Sequence, residues 1–154
     1  MDQTKLIFLQ HQFIPLLYKI DPAVPPQWGR MNEQQMVEHV SDFFKLSSNK
    51  LQLALVTAPE LLPKFKEFLN SEKEFRENTR APVLPEDPLP VRNASIHEAI
   101  MELENEVKDF IDYFKDDHEK KTMHPVFGEL NFREWVQLHH KHVKHHLKQF
   151  GISI

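Results

Sequence analysis

The sequence predicts an all-α fold, a four-helix bundle with a proline-rich loop and a short extra helix between its second and third long helices. Three observations predict it. Four stretches carry apolar residues at helical spacing. Three of these open on a capping pattern: Asn32 with Gln35, Ser95 with Glu98, and Asn131 with Glu134. No stretch makes a convincing sheet, and amphipathic helices without a sheet bury their faces best against one another.

The first helix runs from about Thr4 to Tyr18, with Leu6, Leu9, Phe13, Leu16 and Leu17 on one stripe. Pro15 lies inside it and predicts a kink or a break. Asp21-Pro22 and Pro25-Pro26 end it. The second opens at Asn32, turns Met36, Val40, Phe43 and Phe44 inward, and closes at Ser47-Ser48-Asn49. Leu51 to Val56 reads as a strand or an extended connector. The short helix spans about Pro59 to Leu69, with proline tolerated in its first turn. Residues 71–93 form a long loop stiffened by Pro82, Pro85, Pro88 and Pro90. So long a loop in a compact domain suggests a cover over the bundle mouth. Ser95 starts the third long helix, which carries Ile96, Ile100, Leu103, Val107, Phe110 and Phe114 to about Lys115. After a charged stretch and a turn at Pro125 and Gly128, Asn131 starts the last helix, and Gly151 sits just past its end. Residues 1–154 show one composition regime and no internal repeat, so they read as one domain.

Composition excludes several functions. The 154 residues carry 19 Lys and Arg against 23 Asp and Glu, a net charge of −4 with no basic block. That balance is a poor grip on a phosphate backbone, so no nucleic-acid partner is expected. The absence of cysteine removes disulfides, thiolate metal sites and a cysteine nucleophile. Three glycines cannot build a phosphate loop. No apolar run spans a bilayer, so no membrane partner is expected. The first apolar stretch is broken by Gln10, His11 and Gln12, unlike a signal peptide, and a cytoplasmic location is expected.

Histidine is the chemically loaded residue: ten copies, five of them between His139 and His146. At about 100° per residue, Phe132, Trp135, Val136, Val143, Leu147 and Phe150 form the core stripe of the last helix. His139 and His146 share that face and His142 flanks it. His140 lies on the opposite flank and His145 points away, so each is expected to be solvated or hydrogen-bonded to neighbouring side chains. Inward histidines need partners for their ring nitrogens. A divalent cation supplies one partner to several neutral imidazoles at once. His142 and His146 have the i, i+4 spacing that turns two rings toward one ion. A third ligand must come from a facing helix, and the second helix offers His39 on the edge of its apolar face. His139, one turn before His142, is the candidate catalytic residue, hydrogen-bonding beside the ion or shuttling protons. His124, before Pro125, reads as turn chemistry. Glu33, Glu38, Asp42, Glu102, Glu104 and Glu106 read as solvated faces.

The stretch Trp28-Gly29-Arg30-Met31-Asn32-Glu33-Gln34-Gln35-Met36-Val37-Glu38-His39 resembles the start of the second helix in DinB-like proteins. His124-Pro125-Val126-Phe127-Gly128-Glu129-Leu130, then Trp135, His139, His142, His145-His146 and Gln149-Phe150-Gly151, resemble an uncharacterised branch of the DinB/YfiT-like superfamily. The resemblance covers roughly Trp28 to Gly151, with little to align in the proline-rich middle. It implies an up-down-down-up bundle, homodimeric, with a divalent metal held by His39, His142 and His146. It also implies a metal-dependent enzyme, either a hydrolase or a transferase using a low-molecular-weight thiol, acting on a small-molecule substrate. Imidazole suits zinc, nickel, iron and copper, and zinc or nickel is the expected ion. Two alternatives stay open: a metal- or small-molecule-binding bundle without catalysis, and a metal-free dimeric interaction protein.

Overall fold

The computed structural model describes residues 3–79, 85 and 87–154. Pro82, one of the four prolines expected to stiffen the long loop, lies outside the described residues.

The chain enters on a helical rod: α1 (Gln3–Ile7), a π turn (Phe8–Gln12) and α2 (Phe13–Leu17). Pro15 lacks the amide that the His11 carbonyl would accept. The widened π turn immediately before it absorbs that mismatch and interrupts the α-helix in the region where a kink or break was expected. Then α3 (Glu33–Ser47) opens on a complete capping box. Asn32 Oδ1 accepts from the Gln35 amide at 2.8 Å, and Gln35 Oε1 accepts from the Asn32 amide at 2.9 Å. Residues 51–56 form an exposed extended connector and not a strand; the Val56 amide donates to the Pro125 carbonyl at 2.8 Å. A 3-10 turn (Pro59–Leu61) leads into α4 (Leu62–Asn70), close to the expected span.

Helix α5 (Ile96–Phe114) begins where Ser95 Oγ accepts from the Glu98 amide at 3.1 Å. The glutamate reaches back to the Ala94 amide, one residue beyond the expected box. Next comes a hairpin, β1 (Thr122–His124) and β2 (Gly128–Leu130), antiparallel, pairing Thr122 with Leu130 and His124 with Gly128. The all-α expectation therefore needs correction: the protein is mostly helical with a small two-stranded sheet. Gly128 adopts φ +82°, the left-handed geometry that a three-residue hairpin loop requires. Finally α6 (Phe132–Gln149) starts on a second complete capping box, Asn131 with Glu134. It ends on a Schellman motif: Ile152 donates to the Leu147 carbonyl, Gly151 donates to that of Lys148, and Gly151 has φ +88°.

The stripes predicted from spacing meet in one core. Met36, Val40 and Phe44 of α3 pack with Ile100, Leu103, Phe110 and Phe114 of α5 and with Trp135, Val143 and Leu147 of α6. Leu9, Phe13 and Leu17 close it from the entry rod. Trp135 Nε1 donates to Thr122 Oγ1 (2.7 Å), and that hydroxyl donates to the Ser47 carbonyl (2.9 Å). The hairpin thus joins the end of α3 to α6 and fixes their relative rotation. No helix among the described residues is long and apolar enough to cross a membrane.

Candidate metal centre

Packing α3 against α6 brings His39, His142 and His146 together. Nε2 of His142 lies 3.0 Å from Nε2 of His39 and 3.0 Å from Nε2 of His146. One nitrogen from each ring falls within 4.8 Å of the other two. Around a zinc ion at about 2.0–2.1 Å, tetrahedral nitrogens stand roughly 3.3 Å apart. The two 3.0 Å contacts fall just short of that spacing.

Proton accounting says what this cluster can hold. Gln149 Nε2 donates to the Trp28 carbonyl at 2.9 Å, an oxygen that can only accept. Gln149 Oε1 therefore faces His146, whose Nδ1 donates to it at 2.8 Å. With its proton on Nδ1, His146 turns a bare lone pair on Nε2 toward His142. One proton can bridge one of the two 3.0 Å contacts, and the remaining nitrogens then face each other lone pair to lone pair. A cation accepts all three, so the donor set fits a divalent ion suited to imidazole. Burial reinforces this. It pushes His39 down to about 4, with the neighbouring His145 adding to the effect. It also drives His142 and His146 well below the ordinary histidine value, each helped by the neighbouring rings. All three are neutral donors at physiological pH.

His139 stays outside this group of three. Ser47 Oγ spends its only proton on the Phe44 carbonyl (2.7 Å), so it accepts from His139 Nε2 at 2.9 Å. The His139 ring lies flat on Phe44, with centroids 3.7 Å apart, and stacks near Trp135. It is 1% exposed and, through Nε2, reaches the hydroxyl of Ser47 on α3, not the clustered nitrogens of His39, His142 and His146.

Four other residues take positions that the helix wheel did not predict. His145 is half-buried between Trp28 and Phe75, and the Phe75 carbonyl accepts from its ring. His140 is partly buried with its ring edge-on to Phe8. Glu38 is buried, not solvated: its carboxylate accepts from the Arg92 and Asn93 amides, Asn93 Nδ2 and Gln34 Nε2. Burial alone would raise its pKa, but these four donors hold it below the usual carboxylate range. Such a saturated carboxylate anchors residues 92–93 and is a poor proton acceptor. Glu106, also expected on a solvated face, is buried beside Lys50. His124 does organise the turn, as expected: Nδ1 accepts from the Val126 and Phe127 amides, and burial pushes it down to about 3. It also forms part of a cavity wall.

That cavity, half open to solvent, has a volume of about 1460 Å³ and includes all three clustered histidines in its lining. Residues 71–79 contribute Ser71, Lys73, Phe75 and Arg76 to it, so the described part of the long loop shapes the site. Lys141 clasps this segment onto α6, donating to the Ser71 carbonyl at 3.0 Å and to the Lys73 carbonyl. Glu74 pairs with Lys144 at 3.2 Å, and Phe75 is thereby set edge-on to His142.

A family described as a protein of unknown function (DUF1569) matches residues 52–152. The matched span holds His142, His146 and Gln149 but not His39. No curated protein and no solved structure matches the chain.

Proposed function

The chain belongs to the family of proteins of unknown function DUF1569, and we propose that it works as a divalent-metal-dependent enzyme acting on a small molecule, hydrolysis being its reaction. We further assign it to the DinB-like superfamily of four-helix bundles, with the α1–α2 rod, α3, α5 and α6 as the four helices. One observation carries the functional reading. Three imidazole nitrogens from two helices converge in the wall of a large cavity with fewer protons than their contacts require.

His39, His142 and His146 would hold the ion, with zinc or nickel the expected choice. Bound by three neutral donors, a divalent ion supplies Lewis acidity and lowers the pKa of a water or a thiol at its open position. The protein's own residues do the rest. Gln149 fixes the His146 tautomer through the Trp28 carbonyl. Phe43 and Phe75 pack edge-on to His142 and exclude bulk water from its ring. His139 holds Phe44 and Ser47 in register behind the cluster, a positioning part and not a proton-transferring one. Hydrolysis consumes one water and returns an acid and an alcohol or amine, so it needs no co-reactant beyond solvent. A thiol S-transfer uses the same three ligands and would require room for a charged low-molecular-weight thiol.

Metal analysis of protein purified without a histidine tag tests the reading. The expected result is about one equivalent of a divalent ion per chain, lost in His142→Ala and in His39→Ala. A His142→Ala protein that retains the wild-type metal content would refute it. Ester and thiol substrate panels with the loaded protein then separate hydrolysis from thiol transfer.

A further inference from the structure

The cavity is larger and less polar than a bound ion and its water require. Its 1460 Å³ exceeds the roughly 300–1,000 Å³ of most small-molecule sites. Phe43, Phe65, Phe68, Phe75 and Phe127 line it together with Val56. A small, highly charged substrate would leave most of this aromatic surface in contact with water.

The charged groups of the lining divide by wall. Where residues 28–43 and 87–92 form the wall, each cation has an anion. Arg30 pairs with Asp87 at 2.6 Å, and Arg92 pairs with Asp42 at 3.0 Å and Glu102 at 2.9 Å. Glu38 is saturated by its amide donors. Where α4 and residues 71–79 form the wall, Lys64, Lys73 and Arg76 line the cavity, exposed, and no ion pair joins them to any described residue. Glu74 on that wall is taken up by Lys144 and Lys148. Glu67 is its one other lining anion. Among the described lining residues, this wall carries three cations outside any ion pair against one such anion, Glu67, beside a large apolar volume.

We propose that the cavity takes an amphipathic organic anion. Its aryl or alkyl body lies among Phe65, Phe68, Phe127 and Val56, and its carboxylate or similar anionic group lies against Lys64, Lys73 and Arg76. The reactive part of the ligand then faces the three histidines, and only that last element rests on the metal-site reading. A cationic amphiphile would meet like charge at the same wall, and a neutral one would gain the apolar burial alone.

Fluorescence titration with cis-parinaric acid, a long-chain carboxylate, tests this on the full chain with and without zinc. Saturable binding at one site per chain is expected. Dodecanoate should displace the probe roughly tenfold better than dodecanol, a difference of about 1.4 kcal/mol, and dodecyltrimethylammonium should fail to displace it. The charge-reversed variant Lys64→Glu/Lys73→Glu/Arg76→Glu changes only exposed side chains, so it should keep its thermal stability and lose the preference for dodecanoate. Ala58→Trp places a ring in the cavity wall without removing a core contact and should weaken dodecanoate and dodecanol alike. Equal displacement by the acid and the alcohol, an undiminished preference in the charge-reversed variant, or no saturable binding would each overturn the proposal. Probe binding in a protein that takes up no zinc would overturn the metal reading alone. Stoichiometric zinc without probe binding would overturn this inference alone.

Discussion

At the scale of single residues, the proposed metal site would hold its ion through the hydrogen bond from His146 Nδ1 to Gln149. Without an acceptor at Nδ1, the ring is free to carry its proton on Nε2, where it blocks coordination. Gln149→Leu should therefore weaken zinc affinity about 10–100-fold, the usual cost of losing such a partner. Titration calorimetry reads this directly, and an unchanged affinity would remove the tautomer argument. Gly29→Ala should push the same way from the other side. Its φ is +80°, and an added Cβ would sit 2.9 Å from Gln149 Nε2, displacing the amide. His124 carries a different prediction. Its folded pKa of about 3 lies below the ordinary value of 6.5, because burial disfavours the charged ring. Between those two pH values the unfolded chain binds a proton that the folded chain does not. The stabilisation from the neutral ring is thus complete above about pH 6.5 and falls with acidification toward pH 3, by about 1.4 kcal/mol per pH unit. His124→Asn keeps an acceptor for the Val126 and Phe127 amides but does not titrate. Denaturant unfolding of the two metal-free proteins at pH 7 and pH 5 should show a shallower loss in the variant. An equal loss would mean that His124 is not one of the linked groups.

Among the elements, α6 matters most, because it delivers two of the three proposed ligands and both of its ends are fixed by short motifs. Asn131→Ala removes the acceptor for the Glu134 amide and should cost about 1 kcal/mol of stability, measured by denaturant unfolding. Metal stoichiometry should hold, since His142 lies well beyond the first turn. A variant of unchanged stability would show the cap to be redundant. These ends were legible in the sequence, because a cap is a local device: Asn131 and Glu134 stand three residues apart, and Gly151 sits where a left-handed residue must. The core stripes of α3, α5 and α6 were legible for the same reason, since period alone assigns their faces. The hairpin was not, because strands of three residues are too short to show alternation. Nor was the burial of Glu38, whose donors at Arg92 and Asn93 lie on a loop more than fifty positions away. His145 was misplaced likewise: a helix wheel sees only its own helix, and Phe75 arrives from elsewhere in the chain. His39, His142 and His146 could be picked out because each lies on or at the edge of an apolar stripe, where a polar ring requires a partner. Their distances depended on how α3 crosses α6, which no local pattern contains.

Taken as a whole molecule, the proposed site would couple metal binding to folding. His39 and His142 are separated by 103 positions and meet only when α3 and α6 are packed. The unfolded chain retains at most the His142–His146 pair, a weak two-ligand site. An ion therefore favours the native state by mass action, about 4 kcal/mol at a free concentration 1,000 times its dissociation constant. Calorimetric melting of the zinc-loaded protein should show a midpoint that climbs with free zinc and drops on chelation. In His39→Ala most of that dependence should vanish, because the two ligands left on α6 bind nearly as well in any state that keeps α6 helical. In His145→Ala it should persist, because that ring contacts His146 but does not belong to the group of three. The contrast between the two variants isolates the convergence of α3 and α6 from general loss of histidines. A wild-type midpoint indifferent to both zinc and chelator would leave the three rings as a hydrogen-bonded seam between helices, with no ion to join them.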